Sequence, residues 1–320
     1  MKTKSFIFSI FILIFTNFTT LAQDNTKPII KWEQLKNPIY QHADWSVKDP
    51  CMIYDDGWIY LFFSAFFYDA GLDRSHIVCV RTQDFVNYSE PLFIWSGMPE
   101  GWIGLCSPDI KKIDDRFILT YNSWGDKEGA PNKLFYATSK NLKKWKTGLP
   151  LAEKTTAGVR AIDASIALFN DKYYLVYKRV QDSQLAVADS LNSESWTVIG
   201  RPVKEWSENS QIIRIENKWY ILVTMKDNNP VLAEMKGNGK KDEDWIVWEN
   251  YKNIAIPLQR FNTDDRANAA FLADWREIDG FYYLIYAGRS EDISHNGRGD
   301  NKIGIARSKD LLKWESPPDN

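Results

Sequence analysis

Asp49, Asp163 and Glu208 stand out in this chain because each precedes an alternating, aromatic-rich stretch by nearly the same count. Asp49 lies eight residues before Gly57, Asp163 eight before Asp171 and Glu208 nine before Asn217. Those three are the second residues of polar two-residue turns. Asp109, six residues before Asp115, is a fourth acid near that place. A lone carboxylate at a strand start is ordinarily a turn cap, and Asp49-Pro50 is a common turn dipeptide. Several in one register are a different matter. If the fold gathers them, their mutual repulsion costs stability unless a task, a cation or hydrogen bonds compensate. Gathered carboxyls that hold different protonation states can divide acid and base work between them.

The elements that must position these acids are repeats. A turn followed by an alternating strand recurs at Met52 to Phe63, Ile110 to Tyr121, Ile166 to Tyr177, Ile212 to Val223 and Phe271 to Tyr286. Each copy reads as a β-hairpin. The second turn residues Gly57, Asp115, Asp171, Asn217 and Gly280 are 58, 56, 46 and 63 apart. Behind each hairpin come a third alternating strand, a polar kink and an aromatic residue: Tyr88, Trp145, Trp196, Trp248 and Trp314. Units of four strands without a convincing helix predict an all-β fold, a five-bladed β-propeller whose repeated aromatics pack blade against blade. In such a ring the innermost strand of every blade starts beside the central channel, so Asp49, Asp163 and Glu208 are expected at one mouth. The sequence leaves open whether Ile29 to Trp32 adds a closing strand.

Composition bounds the partners. The chain has 320 residues, 44% of them hydrophobic, with 14 Trp, 15 Tyr and 17 Phe. That is enough to bury a large core. With 40 Lys and Arg against 42 Asp and Glu, the net charge of −2 gives no field to draw nucleic acid or an anionic membrane. Residues 1–22 read as a secretory signal: Lys2 and Lys4, an apolar run from Phe6 to Phe15 broken only by Ser9, and a small-residue cleavage site after Ala22. The apolar run is about half of the roughly 20 residues a spanning helix needs. Residues 23–320 are then expected to form a single domain, periplasmic or secreted, with no membrane contact once the signal is removed. Cys51, Cys79 and Cys106 lack CxxC or Cys/His spacing, so zinc is not supported. They read as buried thiols, with a Cys51–Cys79 bond as the alternative. His42, His76 and His295 share no spacing.

The blade entrances carry a resemblance. Val47-Lys48-Asp49-Pro50, Cys106-Ser107-Pro108-Asp109-Ile110, Ala161-Ile162-Asp163-Ala164-Ser165-Ile166 and Ser207-Glu208-Asn209-Ser210-Gln211-Ile212 look like the blade signatures of glycoside hydrolase family 43. The order and spacing of these motifs carry the likeness across blades one to four. It implies that Asp49 is the general base, Asp163 the acid that tunes pKa and orientation, and Glu208 the general acid. It further implies an inverting glycosidase that releases arabinofuranosyl or xylosyl residues from plant or algal oligo- and polysaccharides. The chain departs from the family's Glu-Gly-Pro at Glu208-Asn209-Ser210, and from its blade-five His at Arg266-Ala267-Asn268-Ala269-Ala270. No cofactor is required, and a structural calcium finds no support in the sequence.

Inversion needs a proton on the leaving oxygen and a water on the opposite face, with carboxyls about 6.5–9.5 Å apart. The expectation is that ionised Asp163 keeps Glu208 protonated while Asp49 activates the water. Phe66, Trp102 and Trp124, off the repeat, are candidate sugar platforms, with core packing as the alternative. Asp109 and Arg289 complete the candidate substrate contacts, an ion pair being the alternative for Arg289. Three other readings compete: a noncatalytic carbohydrate-binding propeller, a related propeller glycosidase such as an anhydrogalactosidase or fructosidase, and a phosphorolytic enzyme, which needs a basic phosphate site.

Overall fold

The computed structural model describes residues 30–97, 103–125, 132–290 and 300–319. The expected export signal, Trp102 and His295 lie outside the described residues.

Period-two alternation becomes strands because each blade buries both faces against its neighbours. Blade one holds β1 (Ser46–Asp55), β2 (Trp58–Asp69), β3 (Leu72–Thr82) and β4 (Phe93–Ser96). Blade two holds β5 (Gly104–Ile113), β6 (Arg116–Trp124), β7 (Leu134–Ser139) and β8 (Trp145–Pro150). Blade three is β9 (Ala161–Phe169), β10 (Lys172–Arg179), β11 (Asp182–Ala188) and β12 (Thr197–Gly200). Blade four is β13 (Ser207–Ile215), β14 (Lys218–Met225), β15 (Pro230–Met235) and β16 (Trp248–Asn253). Blade five has β17 (Asp265–Trp275), β18 (Phe281–Arg289) and β19 (Lys302–Ser308), with an Arg307–Glu315 bridge where a fourth strand would stand. The inner strands β1, β5, β9, β13 and β17 each neighbour the next, and β17 returns to β1. The ring is the expected five-bladed propeller.

The hairpin turns are where the sequence put them. Asp56-Gly57 and Asn170-Asp171 carry positive φ at both central positions, the geometry that matches the twist of paired strands. Blade five differs: one helical turn, Arg276–Asp279, is inserted before Gly280. Blades one and two are fused into one sheet where β3 meets β5 at Ser75 and Gly104. A side chain cannot fit at Gly104, because its Cβ would lie 2.2 Å from the Ser75 carbonyl oxygen.

The aromatic repeats fill the seams between blades, as expected. Trp245, Tyr174 and Trp219 pack between blades three and four, with Trp245 stacked on Tyr174 at 3.7 Å. Trp196 and Tyr177 lie between blades two and three. Cys51, Cys79 and Cys106 are buried free thiols, with no disulfide between Cys51 and Cys79.

Ile29 lies outside the described residues, and ring closure comes later than Ile30 to Trp32. Trp32–Gln34 forms a short 3-10 turn, and the next residues do the joining. Ile39 N–H donates to the Ile303 carbonyl at 2.8 Å, and Ile303 N–H returns to Tyr40 at 2.9 Å. Asn37 is fully buried; its Nδ2 donates to the Ile305 carbonyl and its Oδ1 accepts the Ile305 N–H, both at 3.0 Å.

Candidate active site

Every inner strand is interrupted at the same place. The pairing of first and second strands slips by a bulge next to Asp49, Ser107, Asp163, Asn209 and Ala269. Each of the five has a left-handed backbone, with φ of 52°, 54°, 56°, 48° and 50°. For residues other than glycine that conformation costs about 1–3 kcal/mol, least for Asp and Asn. Bulges re-aim side chains, and here they turn one residue per blade toward the channel.

This register corrects the count made on the sequence. The true equivalents of Asp49 are Ser107, Asp163 and Asn209, all eight residues before the second turn residue. Glu208 instead stands one residue earlier, level with Lys48, Cys106, Ile162 and Asn268, each paired across to the second strand. Asp109 stands two residues beyond the bulge, level with Cys51, Ser165, Gln211 and Phe271.

Asp49 and Asp163 face each other across Asn209. The Asn209 side-chain amide donates to Asp49 Oδ1 at 3.3 Å, and its backbone N–H donates to Asp163 Oδ2 at 3.2 Å. Ser64 Oγ donates to Asp49 Oδ2 at 2.8 Å. Asp49, Asp163 and Asn209 line a chamber of about 30 Å³ with Ser107, Asp109, Ser210 and Gln211, room for about one or two waters. An opening of about 430 Å³ at the other end of the channel is walled mainly by aliphatic strand ends such as Ile53, Ile110, Leu168 and Ile213. The acids are gathered at the first mouth.

Glu208 joins them from the wall. Lys178 Nζ donates to Glu208 Oε2 at 2.7 Å, with the two side chains only 8% and 17% exposed. The same ammonium lies 4.2 Å from the centre of the Trp206 ring. Lys48 shares the cluster, and among the described residues no ion pair joins it directly to a carboxylate. Burial pulls its pKa down, yet Asp49, Glu208, Asp163 and Asp265 together raise it above the ordinary value.

The carboxyls are driven apart. Burial, then the charges of Glu208 and Asp49, push Asp163 up to about 6 against the pull of Lys178. Burial also raises Glu208, but Lys48, Lys178 and hydrogen bonds from Lys178 and Asn268 outweigh it and leave the acid below its usual range. Asp49 ends above its usual range: burial raises it, Lys48 and Ser64 oppose, and Glu208 adds to the rise. The expectation that ionised Asp163 keeps Glu208 protonated is therefore reversed. The two lysines favour Glu208 as the anion, and of these two acids Asp163 is the one that holds its proton longer as pH rises.

The remaining candidates fall on or below the mouth. Phe66 and Trp124 meet edge to face, centroids 5.3 Å apart, where β2 and β6 pair with the starts of β1 and β5. Arg289 is bound to two acids, Asp264 at 2.5 Å and Asp265 at 3.4 Å, which realises its ion-pair alternative. Asp109 is buried deeper in the channel, 3.1 Å from Lys111. Among the described residues no group of three or more His, Cys, Asp or Glu is placed to hold a metal ion. Lys178, Asn209, Ser64 and Asn268 were missed by the search for acids. Their signal was the repeat register, which puts them at or opposite the bulge.

No family model matches the chain. It is 23% identical to the beta-1,2-mannobiose phosphorylase of Thermoanaerobacter sp. (strain X514), over 89% of this chain and 96% of that one. Among solved structures it resembles a protein of the GH130 family, whose mannoside phosphorylases include glycoside hydrolases that target β-1,2 mannosidic linkages in Candida mannan. The TM-score is 0.66 at 16% identity, covering 92% of this chain and 98% of that chain. A thermostable family-43 glycoside hydrolase gives a TM-score of 0.62 at 16% identity, covering 89% and 97%. Family 43 is thus matched in fold, whereas the relatives found by sequence include a beta-1,2-mannobiose phosphorylase.

Proposed function

We propose that this chain is a carbohydrate-active enzyme that hydrolyses β-mannosidic bonds at the acidic mouth of its propeller. The observation that carries the proposal is the gathering of Asp49, Asp163 and Glu208 from blades one, three and four, with Asp163 pushed up to about 6 and Glu208 held down. Titratable neighbours with diverging pKa values are what acid–base division needs. Asp163 arrives with the proton and gives it to the leaving oxygen. Asp49, fixed by Ser64 and Asn209, holds and deprotonates the attacking water. Glu208 remains anionic and faces the positive charge that grows on the sugar ring. Inversion of the anomeric centre follows from direct attack by that water, and early NMR spectra of the product anomer test it.

The sequence relative supports mannosides over the arabinofuranosides and xylosides expected from the family-43 likeness. Local charge supports water over phosphate. Asp49, Glu208 and Asp265 bring carboxylates to the site, and Lys178 and Arg289 are already engaged by acids. A phosphate dianion has to enter against that field. Phosphorolysis is nevertheless the second reading, because the relative is a phosphorylase.

The test is incubation with β-1,2-mannobiose and aryl β-mannosides, with and without inorganic phosphate, beside aryl arabinofuranosides and xylosides. Free mannose at a rate indifferent to phosphate supports hydrolysis. Mannose 1-phosphate formed only with phosphate supports the second reading. Cleavage confined to pentosides sinks the mannoside assignment, and calorimetric binding without product sinks the enzyme. Export is part of the proposal, and a mature protein that does not begin at Gln23 counts against the signal read in residues 1–22.

A further inference from the structure

The ring contains its own control for one residue. Directly across from the residue before each bulge stands a second-strand residue: Ser64, Asn122, Lys178, Thr224 and Ala287. In blades one, two and four its side chain accepts the backbone N–H of the next blade's left-handed residue. Ser64 takes it from Ser107 at 2.9 Å, Asn122 from Asp163 at 3.0 Å and Thr224 from Ala269 at 3.0 Å. This is a seam bond that ties neighbouring inner strands together. Blade five has no such acceptor, since Ala287 carries only a methyl group, and blade three departs by placing a charge there. An ammonium donates only, so Lys178 cannot accept the Asn209 N–H. That N–H goes to Asp163 instead, and Lys178 reaches Glu208 in the next blade at 2.7 Å.

We infer that Lys178 is a positioning residue that has exchanged the seam bond of the repeat for control of the active-site carboxylates, fixing Glu208 as an anion and leaving the Asn209 amide to aim Asp163. The inference rests on the proposed role of Glu208 in the site. Several features make this a built arrangement and not a surface pair. Both side chains are largely buried, and the ammonium is capped by the Trp206 ring. A buried charge this close to its partner holds one geometry and one protonation state. The other charges that act on Glu208 come from three inner strands: Lys48 and Asp49 on β1, Asp163 on β9 and Asp265 on β17. Lys48 stays in place when Lys178 is changed, so the effect of Lys178 can be read separately.

The experiment compares the full chain with Lys178→Met, Lys178→Thr and Lys178→Arg. Threonine restores the acceptor used in blade four, so it tests the seam and keeps the fold if methionine does not. Carboxyl-labelled glutamate is followed by carbon NMR against pH, the Glu208 signal being assigned by its loss in Glu208→Gln. The expected result is a Glu208 midpoint raised by about one pH unit or more in the Met and Thr variants, on the scale of a nearby opposite charge, and close to the parent in Arg. An unmoved midpoint in a folded Thr variant overturns the inference. This readout needs no turnover, so a chain that cleaves no glycoside refutes the proposed function while the titration still decides the role of Lys178. With a cleaved glycoside, the pH profile of kcat/KM is expected to shift in the Met and Thr variants and not in Arg.

Discussion

Asn209 occupies in blade four the left-handed position that Asp49 occupies in blade one, and its side-chain amide donates to the Asp49 carboxylate at 3.3 Å. Two copies of one repeat position thus meet across the channel, one as donor and one as acceptor. Paired carboxylates at both places would repel, and the amide removes that conflict while fixing the direction of Asp49.

Asn209→Gly and Asn209→Ala separate the backbone from the side chain. Glycine relieves a φ of 48°, whereas alanine keeps the strain and loses the local compensation that asparagine offers there. The glycine variant is expected to be more stable than the alanine variant by about 1 kcal/mol. Both are expected to lose about tenfold or more in kcat with a smaller change in KM, measured on the glycoside that the substrate panel selects, because a misaimed base slows the chemical step.

Asp163 ties pH to rate. Its pKa of about 6 places the loss of the donated proton in mildly acidic solution, so kcat/KM is expected to fall as pH rises through about 6. Asp163→Asn removes that limb and lowers the rate by about 10²–10⁴, with the smallest loss on aryl glycosides whose leaving groups need no proton.

Asp163 and Glu208 are expected to act oppositely on stability. In the fold Asp163 keeps its proton up to about pH 6, whereas an unfolded chain releases it near 3.9. A raised carboxyl makes the folded state weaker as pH climbs through that window, by up to about 3 kcal/mol above it. Asp163→Asn is therefore expected to raise the melting temperature at pH 7. Glu208 has the depressed pKa, so its contribution is present above about 4.3 and fades as pH drops through the folded value. Glu208→Gln strands the Lys178 ammonium and is expected to cost about 1–3 kcal/mol at pH 7, read by urea unfolding.

Asn37→Ala tests closure away from the chemistry. It leaves both backbone groups of Ile305 without their partner in a buried place, an expected loss of about 2–4 kcal/mol in urea unfolding. The specific activity of the folded fraction should be unchanged, since no site residue is touched.

The blades were legible because strand period, turn chemistry and buried aromatics agree along the chain. Asp56-Gly57 and Asn170-Asp171 are local signals and need no partner from elsewhere. The offset of eight placed Asp49 and Asp163 correctly and lands equally on Ser107 and Asn209, but attention to acids alone favoured Asp109 and Glu208, which stand on different levels of the channel. Lys178 was hidden for another reason. In Tyr177-Lys178-Arg179 it reads as an ordinary polar strand end, and the acid that gives it meaning is 30 residues away in the next blade. The protonation order was likewise unreadable, since it depends on two lysines that spacing alone does not bring near Glu208. Blade five hid its helical turn inside a hairpin pattern, and Asn37 lies where no periodicity reaches.

The fused sheet of blades one and two has a consequence for the site. Ser75 and Gly104 pair across that seam, so β1 to β8 form one continuous sheet that carries Asp49 together with Phe66 and Trp124. Asp163 and Glu208 ride on separate sheets. Asp49 and the aromatic pair thus share one hydrogen-bonded sheet, whereas the gap from Asp49 to the other two carboxyls is spanned by contacts between sheets.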